Sequence, residues 1–130
     1  MIAIDTNIIV RFLTRDDESQ FQKSHALFEN HNIFIADTVI LESEWVLRYA
    51  YKFEASSISE ALTKLFGLPN VYLSNTTLIS QALQWHKQGL DFADALHLSQ
   101  SQQYNQLFTF DNKFIKKSKG LCKCLVLNPN

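Results

Sequence analysis

The sequence predicts an α/β fold in which helices cover both faces of a mostly parallel sheet. Two observations predict it: five short apolar runs have the character of strands, and longer segments with helical spacing separate them. Strands that alternate with helices usually form a parallel sheet between helical layers. No linker, repeat or low-complexity segment interrupts this order, so we expect one domain over residues 1–130.

The five candidate strands are rich in isoleucine, valine, leucine and phenylalanine, which favour strands. In chain order they are Ile2–Ile4, Ile33–Ala36, Val71–Leu73, Leu107–Phe110 and Cys124–Leu127.

Helix boundaries are visible between these runs. Asp16 and Asp17 precede a helical pattern, and Ser-Ile-Ser-Glu at 57–60 fits a capping box. Thr38–Tyr51 and Ser57–Phe66 are two helices before the third strand, an excursion that often forms a partner surface. Each glycine follows a helical stretch, where a helix end tolerates glycine best. The three are Gly67, Gly89 and Gly120.

The composition is that of a globular protein with a core. The chain has 130 residues, 46% hydrophobic and 12% aromatic, with a formal net charge of −1. Such a charge provides no global attraction for nucleic acid, so binding a polyanion would need a local patch, a metal or a partner. No apolar run approaches the roughly 18 residues of a membrane span, and we expect a cytoplasmic protein. Cys122 and Cys124 are expected to be reduced thiols rather than zinc ligands.

Four acidic residues lie at predicted strand ends or helix starts. Asp5 ends the first strand and Asp111 the fourth, while Glu42 and Asp94 fall near helix starts. In open parallel sheets, ligands bind outside the carboxyl ends of the strands. These positions therefore predict one acidic rim.

Each acid also has an ordinary structural explanation. Asp5 could cap the next helix, and Asp91 with Asp94 could form a capping pair. Asp111 could open a turn, and Glu42 could be a solvated acid of a first helical turn.

The surroundings favour a cation site over these separate explanations. Glu42 and Asp94 lie among apolar residues rather than on charged faces. Two carboxylates 4 Å apart repel by about 4 kcal/mol at an effective dielectric near 20, so crowding them requires a cation. Oxygen ligands without a convergent histidine or cysteine set indicate Mg²⁺ or Mn²⁺.

Four segments in order carry a family resemblance that covers nearly the whole chain: M-I-A-I-D-T-N-I-I-V-R-F-L, D-T-V-I-L-E-S-E-W-V-L-R, G-L-D-F-A-D-A-L-H-L-S and T-F-D-N-K-F. Together they resemble PIN-domain nucleases, and among these the VapC-type toxins of bacterial toxin–antitoxin pairs. The resemblance implies a three-layer α/β/α fold with a parallel sheet of four or five strands.

The resemblance also implies the site. Its catalytic and metal-binding quartet would be Asp5, Glu42, Asp94 and Asp111. Thr6 and Asn7 match the small polar pair that orients the first acid.

Two further acids are open. Asp91 could reach the metal through a water or simply cap its helix. Glu44 lies two residues from Glu42, and such residues differ by about 200° around a helix, so only one can face the site. The family pattern favours Glu42.

The implied activity is that of a metal-dependent endoribonuclease that hydrolyses RNA phosphodiester bonds with Mg²⁺ or Mn²⁺. The implied partners are an RNA substrate, a small antitoxin and a second copy of the chain in a homodimer. Substrate phosphates could be held by Arg11, Arg15, Lys113 and Lys116, although solvated helix faces explain these residues equally well.

Other side chains are expected to be structural. His97 is expected to lie in the core or to orient Asp94, and Trp45 and Trp85 are expected to be core residues. Phe12, Phe21 and Phe28 could belong to the core or to a surface that pairs protomers.

Two other functions are open. A dehalogenase-like phosphatase also places an acid after its first strand, but it needs a second acid two residues on, where this chain has Asn7. A catalytically silent PIN-like module would bind RNA or a partner without cutting it.

Overall fold

A computed structural model describes all residues from Met1 to Asn130. The chain divides into two compact units, unit 1 (Met1–Thr76) and unit 2 (Thr77–Asn130). Helices and parallel strands alternate throughout, which confirms the predicted α/β class. The five strands form a three-stranded and a two-stranded sheet, where one sheet of four or five strands was expected, because β4 and β5 pair only with each other. The expectation of one domain over residues 1–130 stays a prediction. No helix is both long and apolar enough to span a membrane.

Unit 1 contains a three-stranded parallel sheet in the order β1-β2-β3. The strands are β1 (Ile2–Ala3), β2 (Ile33–Ile35) and β3 (Val71–Leu73). Ile33 pairs with Ile2 on one side and with Val71 on the other. Both isoleucines of the central strand are completely buried, and because they lie two residues apart they show that one face of the sheet is fully covered.

Four helices of unit 1 connect and flank these strands: α1 (Thr6–Thr14), α2 (Glu18–Asn30), α3 (Asp37–Tyr49) and α4 (Ala55–Phe66). Helices α1 and α2 pack through aromatic rings, with Phe12 4.4 Å from Phe28 and 5.9 Å from Phe21 between centroids. Phe12 therefore packs against both other rings within the chain, and the homodimer stays a prediction.

Helix α3 corrects the expectation for Trp45. Its buried face is formed by Ile40, Ser43, Glu44 and Leu47, which follow helical spacing. Trp45 lies outside that face and is 56% exposed, and the centroid of its ring is 5.1 Å from that of Tyr49. Trp85 of unit 2 is buried, as predicted.

The start of α4 also differs from the prediction. The helix begins at Ala55, and its N-cap residue Glu54 makes no capping hydrogen bond. Ser57 is therefore already inside the helix, and the predicted capping box is wrong. Gly67 ends the helix with φ −81°, not in the left-handed region. The helix starts earlier because burial of its apolar face, not a side-chain cap, stabilises it.

Unit 2 contains a two-stranded parallel sheet of β4 (Gln106–Phe108) and β5 (Leu125–Leu127). Helix α5 (Thr76–Lys87) leads into the unit, followed by α6 (Phe92–Gln100) and α7 (Asn112–Ser118). Gly89 and Gly120 have φ of 118° and 79°, which confirms the predicted glycine ends of α5 and α7. Cys122 and Cys124 are free thiols, and burial raises the pKa of Cys124.

Candidate functional site

Asp5 lies between β1 and α1 in unit 1. Its Oδ1 accepts a hydrogen bond from the backbone N–H of Ile8 at 3.4 Å, so it is the N-cap of α1. The side chain is nevertheless exposed, and the long capping bond uses one oxygen. The second oxygen of the carboxylate is free to take a ligand.

Thr6 connects the first acid to the second. It is the first residue of α1 and is only 6% exposed, and its hydroxyl donates a short hydrogen bond to Oε1 of Glu42 on α3. We expected Thr6 to orient Asp5, but its hydroxyl instead fixes the acid that lies 36 residues further along the chain. Asn7 is exposed beside Asp5.

Glu44 has a different environment from Glu42. Its side chain is 1% exposed and pairs with Arg48, with Oε2 2.8 Å from Nε and Oε1 3.2 Å from Nη2. This fork-to-fork pair compensates the charge of Glu44. The Glu42 carboxylate is exposed and is held by a neutral hydroxyl, so its charge is available for a cation.

In unit 2, two acids lie at the start of α6. Asp91 is the N-cap residue, and its Oδ2 accepts a hydrogen bond from the backbone N–H of Asp94 at 3.4 Å. Both side chains are half-buried. The capping pair expected as the ordinary explanation is therefore present at the start of α6.

The pKa of Asp94 depends on its burial and on the other acids of unit 2. Burial raises its pKa above the usual value, and the negative charges of Asp91 and Asp111 raise it further. His97 acts in the opposite direction. His97 is exposed, so the expectation of a core histidine is wrong, because the buried positions of α6 are Phe92, Ala95, Leu96, Leu98 and Ser99.

Asp111 lies at the start of α7. Its Oδ1 accepts hydrogen bonds from the backbone N–H groups of Lys113 at 2.9 Å and Phe114 at 3.2 Å. The side chain is exposed. Asp111 is thus a helix cap whose second oxygen remains available, like Asp5.

No group of three or more histidine, cysteine, aspartate or glutamate side chains in this structure is spaced to hold a metal ion. The donor chemistry fits a hard divalent cation, because all predicted ligands are carboxylates and none is a thiol. In unit 2, burial raises the pKa of Asp94 most, and the charges of Asp91 and Asp111 add to the shift; a bound cation would oppose both effects.

The two predicted substrate arginines are engaged within unit 1. Arg11 contacts Asp16 at 3.0 Å, Gln20 at 2.6 Å and the Tyr51 hydroxyl at 2.8 Å. Arg15 forms a bidentate pair with Glu18, and this pair lowers the pKa of Glu18 to about 2. The guanidinium groups of both arginines therefore have partners within the chain. Lys113 and Lys116 are exposed and form no ion pair.

A cavity of about 400 Å³ adjoins Asp5 on the surface of α1 and α2. Its lining residues are Asp5, Asn7, Ile8, Arg11, Gln20, Lys23 and Ser24. Lys23 is exposed and forms no ion pair, so it adds positive charge next to the first acid. The sequence carries no signal for Lys23, because its closeness to Asp5 depends on how α2 packs against α1.

The carboxylates that this α/β fold places at strand ends and helix starts are oxygen donors of the kind that hard divalent cations bind. The PIN domain family matches residues 2–120, and the chain belongs to that family. PIN domains are generally nucleases, and they typically bind Mg²⁺ or Mn²⁺ in an acidic site. No curated protein matches the chain.

Proposed function

We propose that this chain is a Mg²⁺- or Mn²⁺-dependent endoribonuclease and the toxin of a VapC-type toxin–antitoxin pair. The observation that carries the proposal is the contrast between Glu42 and Glu44. One glutamate is neutralised by Arg48, whereas the other is positioned by Thr6 and keeps its charge. In a chain of the PIN family, a fixed and uncompensated carboxylate supports a cation site.

The proposed ligands are carboxylates from several parts of the chain: Asp5, Glu42, Asp94 and Asp111, with Asp91 as a further candidate. Divalent cations bound by the carboxylates of either unit would supply Lewis-acid chemistry, lowering the pKa of water and offsetting charge on the phosphate.

The protein's own groups have separate parts in the reaction. Thr6 keeps the Glu42 carboxylate in one orientation, because its hydroxyl donates a hydrogen bond to Oε1 of Glu42. A carboxylate that does not bind the cation can accept the proton of the attacking water. Lys23, Lys113 and Lys116 are exposed and would attract the phosphates of RNA, which supports a polyanionic substrate.

The biological partners follow from the resemblance to VapC-type toxins. An antitoxin would neutralise the enzyme, the active species would be a homodimer, and both would act in the cytoplasm. A dehalogenase-like phosphatase is a weaker candidate, since Asn7 occupies the position of its general acid.

The test is cleavage of a labelled RNA by the purified chain with Mn²⁺, with EDTA, and with the Asp5→Asn variant. Asparagine caps helices as well as aspartate, so this variant keeps the fold and removes one ligand charge. Asp17→Asn is the matched control, because Asp17 caps α2 through Gln20 in the same way.

We expect cleavage that requires Mn²⁺, disappears with Asp5→Asn and persists with Asp17→Asn. Binding of RNA without cleavage by the wild-type chain would indicate the silent module. Trapping of a phosphoaspartate on Asp5 would indicate the phosphatase. Cleavage unaffected by EDTA and by Asp5→Asn would contradict the proposal.

A further inference from the structure

Phe110 is 79% exposed, more than any other large hydrophobic side chain of the chain. A phenylalanine left in water forgoes about 1.5–3 kcal/mol of burial free energy. It directly precedes Asp111, one of the proposed ligands. An exposed ring at this position is a feature that packing of the folded chain does not explain.

The backbone around Phe110 is fixed on both sides. The N–H of Thr109 donates to the carbonyl of Leu127 in β5 at 2.9 Å, and the Thr109 hydroxyl accepts from the N–H of Asp111 at 3.0 Å. Asp111 in turn caps α7. The ring is therefore displayed by an ordered backbone, which reduces the entropy lost when it binds a ligand.

Phe110 follows strand β4, which forms an exposed apolar face with β5. Phe108 and Leu125 are each 56% exposed, whereas Val126 is 7% exposed. Strand β4 ends at Phe108, and Phe110 lies two residues further on, in the bend that precedes α7.

The sequence that follows Phe110 is rich in lysine. Unit 2 has six lysines and no arginine, and its acids are the three candidate ligands Asp91, Asp94 and Asp111, so its formal net charge is +3. Five of the lysines fall between residues 113 and 123: Lys113, Lys116, Lys117, Lys119 and Lys123. The overall charge of −1 conceals this basic segment because unit 1 carries −4.

We propose that Phe110 is a positioning residue that stacks on an unpaired base of the RNA substrate beside Asp111. The proposal rests on the nuclease function and names the residue that seats the substrate. Proteins commonly bind single-stranded nucleic acids through exposed aromatic rings combined with positive charge. The bases stack on the rings, and the phosphates bind the lysines. The core of a protein–protein interface is depleted of charged residues. The five lysines that follow Phe110 in the sequence therefore favour RNA over a protein partner.

The test is the affinity of a fluorescein-labelled single-stranded RNA, measured by anisotropy in EDTA so that no cleavage occurs. Phe110→Ala should weaken binding about 5- to 150-fold, the range found when a stacking ring is removed. Phe110→Trp should restore binding, whereas Phe110→Leu, which is apolar but cannot stack, should not. Phe53→Ala is the matched control in unit 1, since Phe53 is also exposed.

Cleavage with Mn²⁺ provides the second readout. Phe110→Ala should raise KM by a similar factor and leave kcat within a few-fold, whereas Asp5→Asn should abolish kcat and still bind RNA. If the wild-type chain binds RNA through Phe110 but cuts nothing, the stacking proposal stands and the nuclease proposal fails.

Unchanged affinity in Phe110→Ala would overturn the proposal, as would wild-type affinity in Phe110→Leu. A change of self-association in Phe110→Ala with unchanged RNA affinity would also overturn it, and would identify the face as a protein interface. Unchanged melting temperatures in all variants confirm that an exposed ring was removed without loss of the fold.

Discussion

Two glutamates of α3 show how neighbouring residues of one type acquire different roles. Glu44 lies on the buried face and is paired with Arg48, so it stabilises the fold. Glu42 lies on the exposed side and is bound by the Thr6 hydroxyl. The two-residue spacing in a helix separates these environments.

Substitution of the two glutamates should separate stability from cation binding. Glu44→Gln leaves Arg48 without its charged partner and should lower the free energy of unfolding by about 1–3 kcal/mol, the contribution of hydrogen bonds to charged groups. Glu42→Gln should change it by no more than about 0.5 kcal/mol, as for other exposed sites, and lower Mn²⁺ affinity at least about tenfold. Urea unfolding and calorimetric titration measure the two effects. The reverse pattern would show that Glu44 is the ligand.

Asp94 provides a pH-dependent test. Burial raises its pKa, with help from the charges of Asp91 and Asp111. The folded state then binds this proton more tightly than the unfolded state, so its contribution to stability is present below the ordinary pKa of 3.8 and is lost as the pH rises through the folded pKa.

At neutral pH without a cation, Asp94→Asn removes an unfavourable charge and should raise Tm by roughly 1–4 °C. The same substitution should abolish the rise in Tm that Mn²⁺ gives the wild-type chain. Melting curves between pH 4 and pH 8, with and without EDTA, measure both. A lower Tm for Asp94→Asn at pH 7 in EDTA would contradict this account of the charge.

Single residues were predictable where local chemistry decides them. Asp5 and Asp91 could be placed at helix starts from the sequence because capping depends on the next three residues, whereas Asp111, expected to open a turn, caps α7. The contact of Thr6 with Glu42 could not, because it joins residues 36 positions apart through the packing of α1 on α3. Lys23 was missed for the same reason.

At the scale of elements, α7 is short and depends on its first residue. It has seven residues, and Asp111 satisfies two of its free N–H groups. A helix of this length gains little from propensity, so the cap and the buried ring of Phe114 stabilise it.

Asp111 should therefore have a structural and a chemical role that different substitutions separate. Asp111→Ala should lower the free energy of unfolding by about 0.5–2 kcal/mol through loss of the cap. Asp111→Asn should keep the cap and leave stability within a few tenths of a kcal/mol, while still reducing Mn²⁺-dependent cleavage. Thermal unfolding and RNA cleavage distinguish the roles. Full activity in Asp111→Asn would show that Asp111 is only a cap.

The order and type of the elements could be predicted from apolar periodicity and from caps such as Asp17. Element boundaries were less predictable. Strand β4 occupies Gln106–Phe108 rather than Leu107–Phe110, because pairing with β5 ends at Leu127. The exposure of Trp45 could not be predicted either, because the composition of α3 does not show which of its faces packs against the core.

At the scale of the whole molecule, the formal charge of −1 conceals an uneven distribution, with −4 in unit 1 and +3 in unit 2. A cation bound by the acids of unit 2 would leave that unit more positive. This uneven distribution is compatible with the local patch that the sequence analysis required for binding a polyanion.

RNA affinity should accordingly decrease with salt. If three to five lysines contact phosphates, the logarithm of the association constant should fall against the logarithm of the salt concentration with a slope of about −2 to −3.5. Lys113→Ala and Lys116→Ala should each make the slope shallower by about 0.7, whereas Lys64→Ala on α4 of unit 1 should not change it. Anisotropy titrations between 50 and 300 mM salt, roughly the range over which surface charges become screened, give the slopes. A slope near zero would contradict a role for these lysines.

The most direct test of the central claim is the Mn²⁺ affinity of the wild-type chain and of four single variants, measured by calorimetric titration. The variants are Asp5→Asn, Glu42→Gln, Asp94→Asn and the control Asp17→Asn. We predict that the first three each reduce affinity at least about tenfold and that Asp17→Asn binds like the wild type, because the first three remove a proposed cation ligand and Asp17→Asn does not. Equal Mn²⁺ affinity in all four variants would contradict the account.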